Sequence, residues 1–323
     1  MDDPALSSPL LYLLLCLLLA FPPAQAEWRL VSQNLNRFFD AIDDPEDDRV
    51  LSAQKYRKRV AQLAKRIIET HDQPDVLAFQ EIEKKAILEA VARAVEKTGG
   101  RRYRALLIDG NDRSGMDVGY LVAEELDLRR VEPLFAGEHY RYKKNGRQVS
   151  APLFARPPLL IEFCRERCIT LVNVHLRSMR GLRHPVKGRR IALKRQLQAE
   201  TLARWVQDLQ AREPDRALAL VGDFNALTPS DRFVDVIGTL IGRPDTERPA
   251  RVSPDLVEPD LIDASRDLPG KKRYSYRYKR RKQLLDYLLL NRAAAGWLRS
   301  IRYGWIDYRV SDHSALTAVF DQP

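Results

Sequence analysis

Two short stretches concentrate the reactive side chains of this chain: Gly222-Asp223-Phe224-Asn225 and Ser311-Asp312-His313. Asp223 and Asp312 are hard oxygen donors, Asn225 is an uncharged hydrogen-bond donor, and His313 can exchange a proton near neutral pH. Related groups stand at Asn34, Glu81, His175 and Asp286. Carboxylates mixed with amides suit a hard cation such as Mg²⁺, which takes oxygen ligands and keeps several waters. A carboxylate beside a histidine suits acid–base transfer. Each fragment alone says little. Gly-Asp-Phe-Asn is also a turn with Asn in a left-handed conformation, Asn34 is equally a strand-end hydrogen-bonder, and a lone His175 reads as a satisfied buried histidine.

These residues share a position type, at or just past the end of an apolar run. Trp28 to Leu35, Val76 to Phe79, Tyr103 to Ile108, Val118 to Val122, Leu159 to Phe163, Ile169 to Val174, Ala217 to Val221, Leu284 to Leu290 and Ala315 to Phe320 read as strands. Leu51 to Thr70, Lys84 to Lys97 and Arg190 to Leu209 carry helical spacing, with Lys and Arg on the polar face. Arg243 to Pro259, rich in proline and charge, reads as a surface loop. No solenoid-period repeat and no Pro/Ser-rich linker divides the chain, so one α/β layered domain over residues 27–323 is the economical reading. In such a protein strand ends converge on one rim, where ligands bind.

Taken in order, Gln33-Asn34-Leu35, Gln80-Glu81, Asn173-Val174-His175, Gly222-Asp223-Phe224-Asn225, Leu285-Asp286-Tyr287 and Ser311-Asp312-His313 resemble the endonuclease/exonuclease/phosphatase superfamily. The resemblance runs from Trp28 to Phe320. It implies a DNase I-like four-layer α/β/β/α sandwich of two packed mixed sheets with helices outside. It also implies a Mg²⁺-dependent phosphodiesterase, with Mn²⁺ or Ca²⁺ as alternative ions. Glu81 then resembles the metal-binding carboxylate, completed or supported by Asn34 and Asp312. Asp223 and Asn225 resemble the pair facing the attacking water and the scissile phosphate. His313 resembles the histidine beside phosphorus, Asp286 its orienting carboxylate, and His175 the second histidine of the DNase I and sphingomyelinase branches. Arg156, in Phe154-Ala155-Arg156-Pro157, resembles a phosphate-contacting arginine, and Arg177 joins it as a phosphate contact or a solvated side chain. Whether Asp223 or His313 is the general base stays open. So does Asp117, which either orients His175 or ends a turn.

The chain's surroundings are read from its ends and its charge. Leu10 to Phe21 is a short apolar run followed by Ala24-Gln25-Ala26, the pattern of a cleaved signal peptide over residues 1–26, although Asp2 and Asp3 make its start acidic. Export to the periplasm or medium follows, with no membrane span after cleavage; an uncleaved anchor is the alternative. Cys164 and Cys168 would then form a disulfide across a hairpin. The formal net charge is +10, and the leader carries no base, so the remainder is more basic still. That surplus favours polyanionic partners. Residues 271–282 interleave Lys and Arg with tyrosines, a pattern for nucleic-acid contact or for an exposed edge strand. The leading expectation is an exported nuclease acting on DNA, and RNA as a second substrate. A sphingomyelinase or inositol-polyphosphate phosphatase of the same superfamily is the alternative, and a non-catalytic binding or toxin-like module is the alternative of another class. No protein partner is inferred.

Overall fold

Strands without a polar face, such as Ala217 to Val221, must be covered on both sides. Two sheets packed face to face, each with helices on its back, meet that demand. The computed structural model describes residues 27–44, 49–228 and 231–321; the leader expected over residues 1–26 lies outside the described residues. Along the chain run β1 (Glu27–Phe38), α1 (Ala53–Glu69), β2 (Val76–Ile82), α2 (Lys85–Lys97), β3 (Tyr103–Leu107), β4 (Asp117–Ala123) and β5 (Asp127–Pro133). Then come β6 (His139–Lys144), β7 (Arg147–Pro152), β8 (Leu159–Cys164), β9 (Cys168–His175), α3 (Lys187–Arg212), β10 (Ala217–Asp223) and α4 (Val236–Ile241). The last are β11 (Ile262–Asp263), β12 (Tyr276–Tyr278), β13 (Arg281–Gln283), β14 (Asp286–Leu290), α5 (Arg292–Ala295), β15 (Leu298–Tyr303) and β16 (Leu316–Asp321).

The first six-stranded sheet has the order β15-β16-β1-β2-β4-β3 and the second β11-β14-β10-β9-β8-β5. Both mix parallel and antiparallel pairs: β1 runs parallel to β2 and antiparallel to β16, and β10 runs parallel to β9 and antiparallel to β14. This is the four-layer sandwich expected from the motifs. Strand β10 shows why its run is unbroken. Ala217, Ala219 and Val221 face the core shared with the first sheet, while Leu218 and Leu220 pack under α3. Helix α1 starts at Ser52, whose side chain accepts from the Lys55 N–H, and buries Val60, Leu63, Ala64 and Ile67. Helix α3 is longer than its spacing predicted, extending by three residues at each end.

Between the sheets the packing is aromatic and aliphatic around Trp28, which stacks on Phe320 and meets Phe163 edge-on. One polar layer interrupts it. Asn173, fully buried on β9, donates to the carbonyls of Phe79 (2.9 Å) and Gly119 (3.0 Å) in the other sheet and accepts from Gln80 Nε2 (2.7 Å). The Tyr120 hydroxyl crosses the other way, to the carbonyls of Leu159 and Leu171. These bonds fix how one sheet sits on the other, because each partner is directional and none has water to fall back on.

Three features depart from the sequence reading or complete it. Strands β5, β6, β7 and β15 are rich in charge and half exposed, so no apolar run announces them. The basic, tyrosine-rich run is not an edge strand of either large sheet; it forms its own hairpin, β12–β13, tied to the main body by a bridge between Tyr276 and His313. Cys164 and Cys168 are joined by the expected disulfide at the β8–β9 turn. Among the described residues no helix is long and apolar enough to cross a membrane.

Asn173→Ala is expected to lower the unfolding free energy by about 2–3 kcal/mol, because it strands buried carbonyls and an amide without partners. Denaturant unfolding of the variant checks this; an unchanged midpoint would show that the polar layer does not hold the sheets.

Candidate active site at the sheet seam

The reactive residues gather at one end of the seam between the sheets. Asn34 and Glu81 come from the first sheet, with His313 from the loop entering β16. His175, Asp223 and Asp286 come from adjacent strands of the second, where Asp223 is the register partner of both His175 and Asp286. Two side-chain hydrogen bonds among these residues cross the seam. His313 Nδ1 lies 2.8 Å from Asp286 Oδ2, and Asn34 Nδ2 donates to Asp223 Oδ2 at 3.0 Å.

The Gly-Asp-Phe-Asn stretch is shaped by close approach. Gly222 has φ of 133°, and a Cβ there would sit 2.2 Å from the Val174 carbonyl oxygen, so no other residue fits. Phe224 is buried against Tyr287 and anchors the turn. Asn225 takes the left-handed conformation, φ 50°, that its side chain tolerates. Its N–H bonds to Asp223 Oδ1 at 2.8 Å and its side chain to the Leu176 carbonyl at 3.2 Å. From beneath, the buried guanidinium of Arg195 on α3 holds the Asn225 carbonyl and that of Arg177.

Glu81 sits at an irregularity in β2, between Gln80 and Ile82, with φ of 61°. That conformation is costly for a glutamate and turns the carboxylate out of the sheet plane. Its Oε1 accepts from Asn34 Nδ2 (3.1 Å) and its Oε2 from the Arg37 N–H (2.8 Å). The Asn34 amide oxygen accepts from the Asn36 N–H, and its amide nitrogen bridges Glu81 and Asp223. His175 Nε2 stands 3.8 Å from Glu81 Oε1 and 3.6 Å from Asp223 Oδ2. Asp312 is half-buried beside His313 and, among the described residues, makes no hydrogen bond with Glu81 or Asn34.

His313 is set from three sides. Ser311 Oγ donates to the Asn34 carbonyl and accepts the His313 N–H; Gln33 Nε2 donates to the His313 carbonyl; the Tyr276 ring lies 4.8 Å from the imidazole. Ser275 Oγ accepts from the backbone of Leu285 and Asp286, holding the other half of the pair. Burial alone would lower the His313 pKa, but the charges of Asp286, Asp223 and Asp312 outweigh it and raise it to about 10. Burial and the nearby Asp286 charge push Asp223 up to about 7. His175, desolvated and close to the charges of Arg156 and His313, is driven well below its ordinary value and is neutral. Its Nδ1 and Asp117 Oδ1 are both buried without a hydrogen-bond partner among the described residues; no bond joins them, so Asp117 does not orient His175 here.

Arg156 pairs with Asp112 at 3.2 Å, and its charge reaches His175. The Arg177 N–H bonds to Gln198 on α3. Arg195, Gln198, Ser275, Ser311 and Tyr276 were not given roles from the sequence; Ser311 stood inside a quoted motif and Ser275 and Tyr276 inside the basic, tyrosine-rich run, while Arg195 and Gln198 belong to a helix whose proximity the topology creates.

The donor set fits a hard cation. Asp223, Asp286 and His313 offer ligand atoms within 4.8 Å of one another, a cluster able to hold a metal ion. Glu81 adds a carboxylate beside Asp223. So many acidic oxygens facing one opening would repel a phosphate ester unless a cation stood between them.

Comparisons with known proteins agree with the fold. A family model described as endonuclease/exonuclease/phosphatase family matches residues 30–305. No curated protein matches the sequence. Solved structures share the fold at low identity. A variant of the 3′ phosphatase NExo from Neisseria, bound to a product DNA hairpin, is 17% identical with a TM-score of 0.58, covering 91% of this chain and 100% of that one. TDP2 from D. rerio, complexed with single strand DNA product, is 13% identical with a TM-score of 0.58, covering 92% and 100%. The human Nocturnin catalytic domain with bound sulfate is 15% identical with a TM-score of 0.55, covering 91% and 94%.

The His313–Asp286 pair predicts a pH signature in metal-free protein. Because the folded-state pKa of His313 lies above its unfolded value of 6.5, the pair's stabilisation is complete below pH 6.5 and is lost as pH rises through about 10. Asp286→Asn removes the largest influence that raises His313, so the His313 titration seen by NMR in EDTA is expected to fall from about 10. The stability gap between parent and variant should close above the parent's transition. A His313 titration that stays where it was in Asp286→Asn would refute the pairing.

Proposed function

The chain belongs to the endonuclease/exonuclease/phosphatase family, and from that membership we propose that it is an exported, Mg²⁺-dependent endonuclease hydrolysing phosphodiester bonds in DNA, with RNA as a second substrate. The observation that carries the phosphodiesterase reading is the buried His313–Asp286 pair set against Asp223 and Asn225, with Glu81 alongside. Basic charge supports nucleic acid as substrate, as do the DNA products bound in the Neisseria and D. rerio structures. The apolar leader and the Cys164–Cys168 disulfide support an oxidising compartment outside the cytoplasm.

In this reading Glu81, aided by Asp312, would hold the divalent ion, with Asn34 fixing Glu81. The ion supplies charge neutralisation at the phosphate and a more acidic water. The protein's own groups divide the proton work. Asp223, desolvated and close to neutrality in its titration, accepts a proton from the attacking water. His313, kept protonated by Asp286, donates through Nε2, the ring nitrogen turned away from that carboxylate, to a phosphate oxygen where charge grows. Neutral His175 orients the ester as a hydrogen-bond donor. The Asn225 side-chain amide stabilises a non-bridging oxygen through the N–H not bonded to Leu176. Arg156 and Arg177 neutralise phosphate on the side away from Glu81.

Incubation of the leaderless protein with supercoiled plasmid tests the proposal: nicking with Mg²⁺ or Mn²⁺ and none with EDTA is expected, and no nicking under any divalent ion would overturn it. His313→Ala and Asp223→Asn should each lower kcat by about 10²–10⁴-fold with the fold intact by circular dichroism. The acidic limb of the parent's pH–rate profile should follow the protonation of Asp223 and be lost in Asp223→Asn. Equal activity in His313→Ala would remove this residue from the mechanism.

A further inference from the structure

Four cations crowd together around Arg156, whose charge reaches His175. Arg156 precedes β8, Arg177 follows β9, and Arg190 and Lys194 stand four residues apart on α3, hence on one face. Their charges act on one another: Arg156, Arg177 and Arg190 all bear on Lys194. Asp112 pairs with Arg156, but the remaining partners among the described residues are neutral. Lys194 Nζ donates to the Pro152 carbonyl at 2.9 Å, Arg190 to the Tyr142 hydroxyl at 3.3 Å, and Arg177 to Ser178 Oγ at 2.7 Å and the Arg180 carbonyl at 3.2 Å.

Such a cluster costs stability. Like charges at this spacing on a helix repel, and half-burial makes each cation harder to keep charged. Burial together with Arg177 and Arg156 pushes Lys194 down to about 8. The side chains are nonetheless held in place. Tyr140 and Tyr142 of the β6–β7 hairpin stack with centroids 5.4 Å apart; Lys194 Nζ lies 5.5 Å from the first ring and Arg190 Cζ 4.9 Å from the second. Cations aligned on rings, next to the reacting centre and short of carboxylates, match a bound polyanion.

We infer that Arg190 and Lys194, seated on Tyr142 and Tyr140, form a second phosphate subsite that holds the phosphate next to the scissile one along a nucleic-acid strand. The inference rests on the nuclease reading and deepens it: the substrate is an oligonucleotide, with Arg156 and Arg177 bridging the reacting phosphate and its neighbour. Arg190 and Lys194 act on strand binding and not on the chemical step.

The test compares the parent with Arg190→Gln/Lys194→Gln on two substrates in Mg²⁺: bis(p-nitrophenyl) phosphate, which has one phosphate, and a short single-stranded oligodeoxynucleotide. The double variant should lose about tenfold or more in kcat/KM on the oligonucleotide, through KM, and keep its rate on the single diester; the salt dependence of oligonucleotide cleavage should become shallower by about one unit of slope. Lys194→Arg should retain strand binding. Equal losses on both substrates, or none on the oligonucleotide, would overturn the subsite. Binding of labelled oligonucleotide in EDTA, read by fluorescence anisotropy, separates this from the parent reading. If the parent cleaves neither substrate yet the double variant binds the strand about tenfold more weakly, the nuclease reading fails and the subsite stands. If the strand does not bind, or inositol polyphosphate displaces it at lower concentration than unlabelled strand, the subsite is not one for nucleic acid.

Discussion

The buried amide of Asn173 is the constraint on which the rest depends. Two apolar sheet faces can slide over one another with little change in buried area, since hydrophobic packing is not directional. Asn173 removes that freedom by bonding to Phe79, Gly119 and Gln80 across the gap. It stands two residues before His175, and Gln80 stands next to Glu81. The bonds that lock the sheets therefore lie one or two residues from the side chains that must meet at the rim. The pairs His313–Asp286 and Asn34–Asp223 form only if that registration holds.

The same economy governs backbone strain. Gly222, Glu81 and Asn225 have positive φ within one small region. For Gly222 the reason is space, because β9 approaches too closely for a Cβ. At Glu81 the positive φ accompanies the irregularity in β2, and Asn34 and the Arg37 N–H hold the carboxylate there. Strain of this kind persists when surrounding bonds over-determine it. The charges follow a parallel logic: Asp223 is desolvated beside Asp286, while His313 gains a proton from the same neighbour. One acid and one cation, poised by a shared carboxylate, result from burial and proximity alone.

Much of this was legible in the chain. Buried strands announced themselves as unbroken apolar runs, and the reactive residues stood at or near their ends, so the layered fold and the composition of the rim could be read together. What escaped detection depends on tertiary neighbours. Arg195 and Gln198 look like any polar residues on a basic helix until α3 is laid under the loops after β9 and β10. Tyr276 belongs to a run whose charge drew attention, yet its ring packs on His313. Asn34 offered an amide of unknown direction, and only its bonds to Asn36, Glu81 and Asp223 show that the oxygen is engaged elsewhere. Strands β5 to β7 carry too many charges to be seen by periodicity.

Placement also changes what the positive charge means. In the sequence the densest basic stretch is residues 271–282, and composition pointed there for a polyanion. In the fold some of those cations serve their own surroundings: Lys282 lies over the Tyr274 ring and donates to the Lys271 carbonyl, Arg277 sits on the same ring, and Arg273 pairs with Asp263. The α3 cluster has fewer residues, spread from Arg156 to Lys194 and invisible as a run. Its charges nevertheless oppose one another, reach His175 through Arg156 and, among the described residues, lack anionic partners beyond Asp112. A net charge tells how strongly a protein attracts polyanions at a distance, whereas cations held together against their own repulsion tell where one is bound. By that criterion the proposed second phosphate subsite lies on α3 and the β6–β7 hairpin, while the tyrosine-rich hairpin places the Tyr276 ring against His313.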